Sequence, residues 1–127
     1  MTMMRTPLKN VRALGSAKEG ADHFWKQRVT AVANVFLGLF FVWLVASLAG
    51  ADYQTVKSAL HNPLIAIALG ALVISGTIHM RLGMQTIIED YVHAEGTKIV
   101  LLMLNTFFAV GIALASLFAI LKLSFGA

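Results

Sequence analysis

The chain has 127 residues, 58% of them hydrophobic and only 13% charged, with a formal net charge of +4 and a mean hydropathy of +0.78. A soluble domain carries nearer a quarter charged residues, so the composition excludes an ordinary water-soluble globule. Cysteine is absent, which excludes disulfides, thiolate metal sites and thiol catalysis.

Residues 1–28 are polar and basic. Arg5, Lys9, Arg12, Lys18, Lys26 and Arg28 stand against Glu19 and Asp22. No signal peptide is expected, because the first apolar run is too long for an h-region. The positive-inside rule puts this N-terminus in the cytoplasm. Topology accounts for the basic residues, and nucleic acid is not an expected partner. Residues 1–14 carry few apolar side chains and are expected to form a loose tail. In "GSAKEGADHFWKQRVTAVA", residues 15–33, two glycines suggest turns. His23, Phe24, Trp25, Gln27 and Arg28 then crowd in front of the first apolar run. Trp25 suits a headgroup-level anchor. The density of donors, His23, Lys26, Gln27 and Arg28, equally suits a site for an anionic group.

Three uncharged runs follow, at 29–51, 62–80 and 99–121, the second interrupted only by His79. A spanning helix needs about 20 residues, and lipid leaves the backbone no partner but itself. The sequence therefore predicts an all-α membrane protein. Its organisation is a 1–28 tail and interfacial segment, then a three-helix domain over 29–127 with spans near 29–51, 62–88 and 98–122. The first loop, 52–61, is expected outside, the second, 89–98, inside with His93, and the C-terminus outside. Asn62-Pro63 suits the cap and first turn of the second span. In the third span Gly111, Ala113 and Ala115 suit close packing, and Asn105-Thr106 suit hydrogen bonds across a helix interface.

The second span carries the chemistry. His79 lies about 24 Å along the axis from Pro63, within a hydrocarbon core of about 30 Å. Ser75, Ala71 and Gly83 fall on nearly the same face. That face offers room for a flat ligand, or close approach for a neighbouring helix. Asp90 comes round to the His79 face about 16 Å further on, with Tyr91 beside it. Arg81 and Gln85, both donors, lie between, and Glu89 reads as solvated. An intramembrane imidazole is a functional hypothesis by default, and a neutral one is a good axial ligand for haem iron. It is equally well a histidine bonded to a Ser or Thr of a neighbouring helix. A phenol beside a carboxylate suits a quinone head group, one donating to its carbonyl and the other feeding protons. It also suits a solvated helix end.

Together, His79, Gly83, Met84, Asp90 and Tyr91 form H-x3-G-M-x5-D-Y, preceded by Arg28, Thr30 and Ala31 at the start of the first span. In these motifs, and over nearly the whole chain from Gly15, the sequence resembles the small hydrophobic membrane anchor of bacterial succinate dehydrogenase, the succinate:quinone oxidoreductase of respiratory complex II. The resemblance implies half of a heterodimeric anchor bundle in a bacterial inner membrane. The partners it implies are a second hydrophobic anchor, an iron–sulfur subunit and a flavoprotein subunit. Electrons pass from succinate through FAD and iron–sulfur clusters to ubiquinone. It implies a haem b shared with the second anchor, His79 as this chain's axial ligand, and Arg28 with His23 at a haem propionate. It also implies Tyr91 and Asp90 at the quinone, and no dehydrogenase site in this chain. Two other classes compete: a small oligomeric proton channel or transporter using His79 and Asp90, and a cofactor-free structural or assembly protein.

Overall fold

In a computed structural model, described over residues 17–126, the chain forms four helices and, among the described residues, no strand. They are α1 (Ala17–Leu48), α2 (Tyr53–His61), α3 (Pro63–Tyr91) and α4 (Glu95–Phe125). Three are long and apolar enough to cross a membrane: α1 from Gly20, α3 and α4. The expected tail at 1–14 and the turn at Gly15 lie outside the described residues. Gly20, where a second turn was expected, is helical.

The helix α1 starts well ahead of the apolar run at 29. Its first turns are built from polar residues that still propagate a helix, and Lys26 pairs with Asp22 at 2.7 Å across one turn. Such exposed pairs add only tenths of a kcal/mol. The helix ends at Leu48. Gly50 then turns the chain with φ +78°, a left-handed conformation in which a Cβ is strained.

The first loop is not irregular. Residues 53–61 form the short helix α2, because Asp52 caps it, its carboxylate accepting from the Thr55 backbone N–H at 2.9 Å. Bonding from Thr55 holds the Asp52 carboxyl below its ordinary pKa. That contribution is therefore present above the usual carboxylate range and fades as the pH falls through the lowered value. The start of α3 is as the sequence predicts. Asn62 caps it, its side chain accepting from the Leu64 N–H at 3.0 Å, and Pro63 opens the helix where no N–H is needed. Only residues 92–94 join α3 to α4, with His93 exposed in the connection.

The central element is α3, which packs along α1 on one side and α4 on another, while α2 rests on α3 and α4. On α4, buried Ala109 and half-buried Ala113 line one hollow with Ile74, Thr77 and Ile78 of α3. Gly111 and Ala115, expected to pack, face outward. At the other end of the pair, Gly70 faces the Leu117 side chain. Among the described residues few side chains are buried: Leu44, Leu60, Leu82, Ile88 and Ala109 are the apolar ones. Phe36, Leu64 and Phe118 are about two-thirds exposed or more (70%, 75% and 68%). In water such a surface signals association. On spanning helices it is the surface offered to lipid and to neighbouring subunits.

Replacing Asn62 by Ala removes the cap of α3 and is expected to cost about 1 kcal/mol. The check is the thermal midpoint of the assembled complex, where Asn62→Asp should retain most of the wild-type value.

Candidate functional site

The antiparallel contact between α1 and α3 is polar. Along α1, His23, Gln27, Thr30 and Asn34 recur at helical spacing and fall within about 60° of one another. All four are half-buried. Ser75, His79 and Gly83 answer them on α3, one turn apart. The Ser75 hydroxyl donates to the Thr30 carbonyl at 3.3 Å. His79 Nδ1 lies 3.2 Å from Thr30 Oγ1. A Cβ placed on Gly83 would sit 3.5 Å from Gln27 Nε2. The small-residue face of α3 is thus occupied by α1, as close packing through Ser75 and Gly83 requires.

The Thr30 hydroxyl decides how His79 is protonated when neutral. Thr30 Oγ1 lies 2.7 Å from the Lys26 carbonyl and 3.2 Å from that of Gln27. Carbonyls only accept, and a hydroxyl has one proton. At 2.7 Å two oxygens without a proton between them repel, so the proton goes to Lys26. Thr30 Oγ1 is left as an acceptor towards His79, and Nδ1 therefore carries the ring hydrogen. In the neutral ring the lone pair is then on Nε2, the state a metal ligand requires. Among the described residues no cluster of three or more His, Asp or Glu side chains could hold a metal ion by itself.

The donors expected to act together ahead of the first span point in three directions. Lys26 is engaged by Asp22. Arg28 lies over the Phe24 ring, 4.9 Å from its centroid. His23 and Gln27 turn towards α3, where His23 Nε2 and Gln27 Oε1 are buried without a partner, as is Asn34 Oδ1. His23 and Arg28 differ by about 140° around the helix, so His23 shares the Thr30 face and Arg28 does not. Trp25 is 67% exposed.

At the far end of α3, Asp90 and Tyr91 are both exposed, Tyr91 by 79%. Glu89 is also exposed and accepts from Gln85 Nε2 at 2.9 Å. Arg81, about 160° round α3 from His79, faces α4. Its Nε donates to Thr106 Oγ1 at 3.3 Å, and its carbonyl accepts from Asn105 Nδ2 at 2.9 Å. Asn105 and Thr106 thus make the cross-helix bonds the sequence suggests. The sequence alone groups Gln27 with Lys26 and Arg28 as donors and gives Asn34 no prominence. A search for polar rather than apolar residues at a spacing of three to four finds both.

The family described as succinate dehydrogenase/fumarate reductase transmembrane subunit matches residues 2–117. The chain belongs to that family. A succinate dehydrogenase hydrophobic membrane anchor subunit from Paracoccus denitrificans is 30% identical over 122 residues, covering 96% of this chain and 94% of the relative. One from Rickettsia bellii is 29% identical, covering 84% and 85%. A succinate dehydrogenase membrane anchor subunit from Reclinomonas americana is 35% identical, covering 75% and 82%. No solved structure gives a significant match. As a membrane anchor of this family, the chain is a multi-pass subunit of an oxidoreductase complex. The channel and free-standing structural readings give way to it.

Gly83 faces Gln27 across the seam between this anchor's α1 and α3. Gly83→Ala adds a Cβ at ordinary contact distance and should be tolerated. Gly83→Leu should overpack the seam and cost about 1–3 kcal/mol, read as a lowered midpoint for loss of the subunit from the purified complex.

Proposed function

We propose that this anchor holds a haem b jointly with a second hydrophobic anchor and helps form the site where ubiquinone is reduced with electrons from succinate. FAD and the iron–sulfur clusters belong, in this reading, to the flavoprotein and iron–sulfur subunits. The complex lies in a bacterial inner membrane, with the N-terminus and the Asp90-Tyr91 end of α3 on the cytoplasmic side, where the basic residues cluster, and the C-terminus periplasmic.

One observation carries the reading: His79 is half-buried on a spanning helix, with Nδ1 occupied by Thr30 and the lone pair of the neutral ring on Nε2. The residues fit the group. A single imidazole with an unprotonated nitrogen is what one side of an axially ligated haem asks of each of two chains. When bound, haem supplies a one-electron carrier. His79 is its axial ligand from this chain. Arg28 and His23 are the propionate partners. His23 Nε2, buried and unpartnered within this chain, supports the nearer role for His23. Arg28, which lies over Phe24 on the flank of α1, would supply the second propionate contact.

Tyr91 and Asp90 act at the quinone. The exposed phenol donates a hydrogen bond to a quinone carbonyl oxygen, which orients the ring and favours negative charge on that oxygen. Asp90, in contact with water, passes protons to the same oxygens as the ring is reduced. This chain's part is to bind, orient and protonate, and the dehydrogenase chemistry lies in the partner subunits.

Reduced-minus-oxidised visible spectra of the complex purified through this subunit test the haem reading. His79→Ala should weaken or shift the b-type band. A band unchanged in the variant, or absent in the wild type, removes His79 as ligand. Tyr91→Phe should lower kcat/KM for ubiquinone about tenfold, the worth of one hydrogen bond of about 1.4 kcal/mol, with succinate oxidation by a soluble acceptor unchanged.

A further inference from the structure

His79 is not held by packing alone. Its Nδ1 meets a hydroxyl that cannot donate to it, because the Thr30 proton is committed to the Lys26 carbonyl at 2.7 Å in the same helix. The acceptor is itself fixed. Thr30 lies inside α1, its hydroxyl donates to the Lys26 carbonyl of the preceding turn, and its own carbonyl accepts from Ser75, one turn from His79 on α3. Two residues of α3 therefore close on one residue of α1, Ser75 on its backbone and His79 on its side chain.

We propose that Thr30 is the positioning residue of His79. Its hydroxyl accepts from Nδ1–H, fixes the ring's orientation and its tautomer, and so presents an unprotonated Nε2 as ligand. The inference rests on the reading of His79 as the axial haem ligand. A hydrogen-bond acceptor at the far nitrogen of a ligating imidazole makes the ring a stronger donor, and its loss typically weakens binding about 10–100-fold. A stronger donor favours the ferric state, so Thr30 also holds the haem midpoint potential down. Valine matches threonine in shape without the oxygen. Serine keeps the hydroxyl and loses only a methyl group.

The test uses the whole complex carrying Thr30→Val, Thr30→Ser, Ser75→Ala or His79→Ala. It reads haem content after detergent challenge, the low-spin ferric EPR g-values and the midpoint potential by redox titration. Thr30→Val should lose haem about tenfold more readily than wild type, shift the g-values and raise the potential. Thr30→Ser should restore all three towards wild type. Ser75→Ala removes the neighbouring clasp and leaves the hydroxyl, so its g-values and potential should stay at wild type. If Thr30→Val fails to assemble, Thr30→Ala removes the hydroxyl in a smaller side chain and carries the same readout. Wild-type g-values and potential in Thr30→Val or Thr30→Ala, with haem lost in His79→Ala, overturn the role of Thr30 and leave the ligand reading intact. An equal shift in Ser75→Ala assigns the effect to helix packing and also overturns it. Haem retained unchanged in His79→Ala removes the ligand reading, and this inference with it.

Discussion

A single hydroxyl proton organises this subunit. Lipid offers no hydrogen-bond partner, so a polar side chain on a spanning helix must find one within the bundle. Thr30 gives its proton to its own helix and its lone pair to His79. That bond, with the one from Ser75, fixes which face of α1 meets α3. Once the face is set, His23, Gln27 and Asn34 must point inward, Arg28 must lie on the flank over Phe24, and Phe36 must face outward. The division between the polar seam and the outward apolar surface follows from one register.

The opposite side of α3 repeats the same physics with different residues. Arg81 cannot share the His79 face, and a cation at that depth needs oxygen nearby. Thr106 supplies it, while Asn105 secures the Arg81 carbonyl from the same helix. The middle helix is therefore tied on both sides by polar bonds at nearly the same level. Above and below that level, apolar contacts such as Gly70 against Leu117 are enough.

The three spans could be read from hydropathy because length and lack of charge are local properties. The cap of α3 could be read because Asn62-Pro63 states it in two residues. Asn105 and Thr106 were visible as cross-helix hydrogen-bonding residues, but their partner Arg81 was not, since the rotation of α4 is set by tertiary contact. The early start of α1 was hidden because hydropathy reports where lipid begins and is silent on where a helix begins. The helix α2 was hidden because its cap, Asp52, lies in what composition marks as loop. His23 and Arg28 looked like neighbours in the sequence, yet five residues of helix turn them apart. The same rule would have grouped His23 with Gln27, Thr30 and Asn34.

The partners of Thr30 lie 45 and 49 residues further along the chain. At a synthesis rate of about 5–20 residues per second, α1 is made roughly 2–10 s before Ser75 and His79 exist. During that interval its polar stripe faces a membrane that cannot bond it. The first helix must wait, near the site of insertion or shielded by another protein, until the helix that completes it arrives. The order of the genetic message thus gives the Thr30 bonds the longest wait among the side-chain hydrogen bonds between helices, 45 and 49 residues against 24 and 25 for those that tie Arg81 to α4.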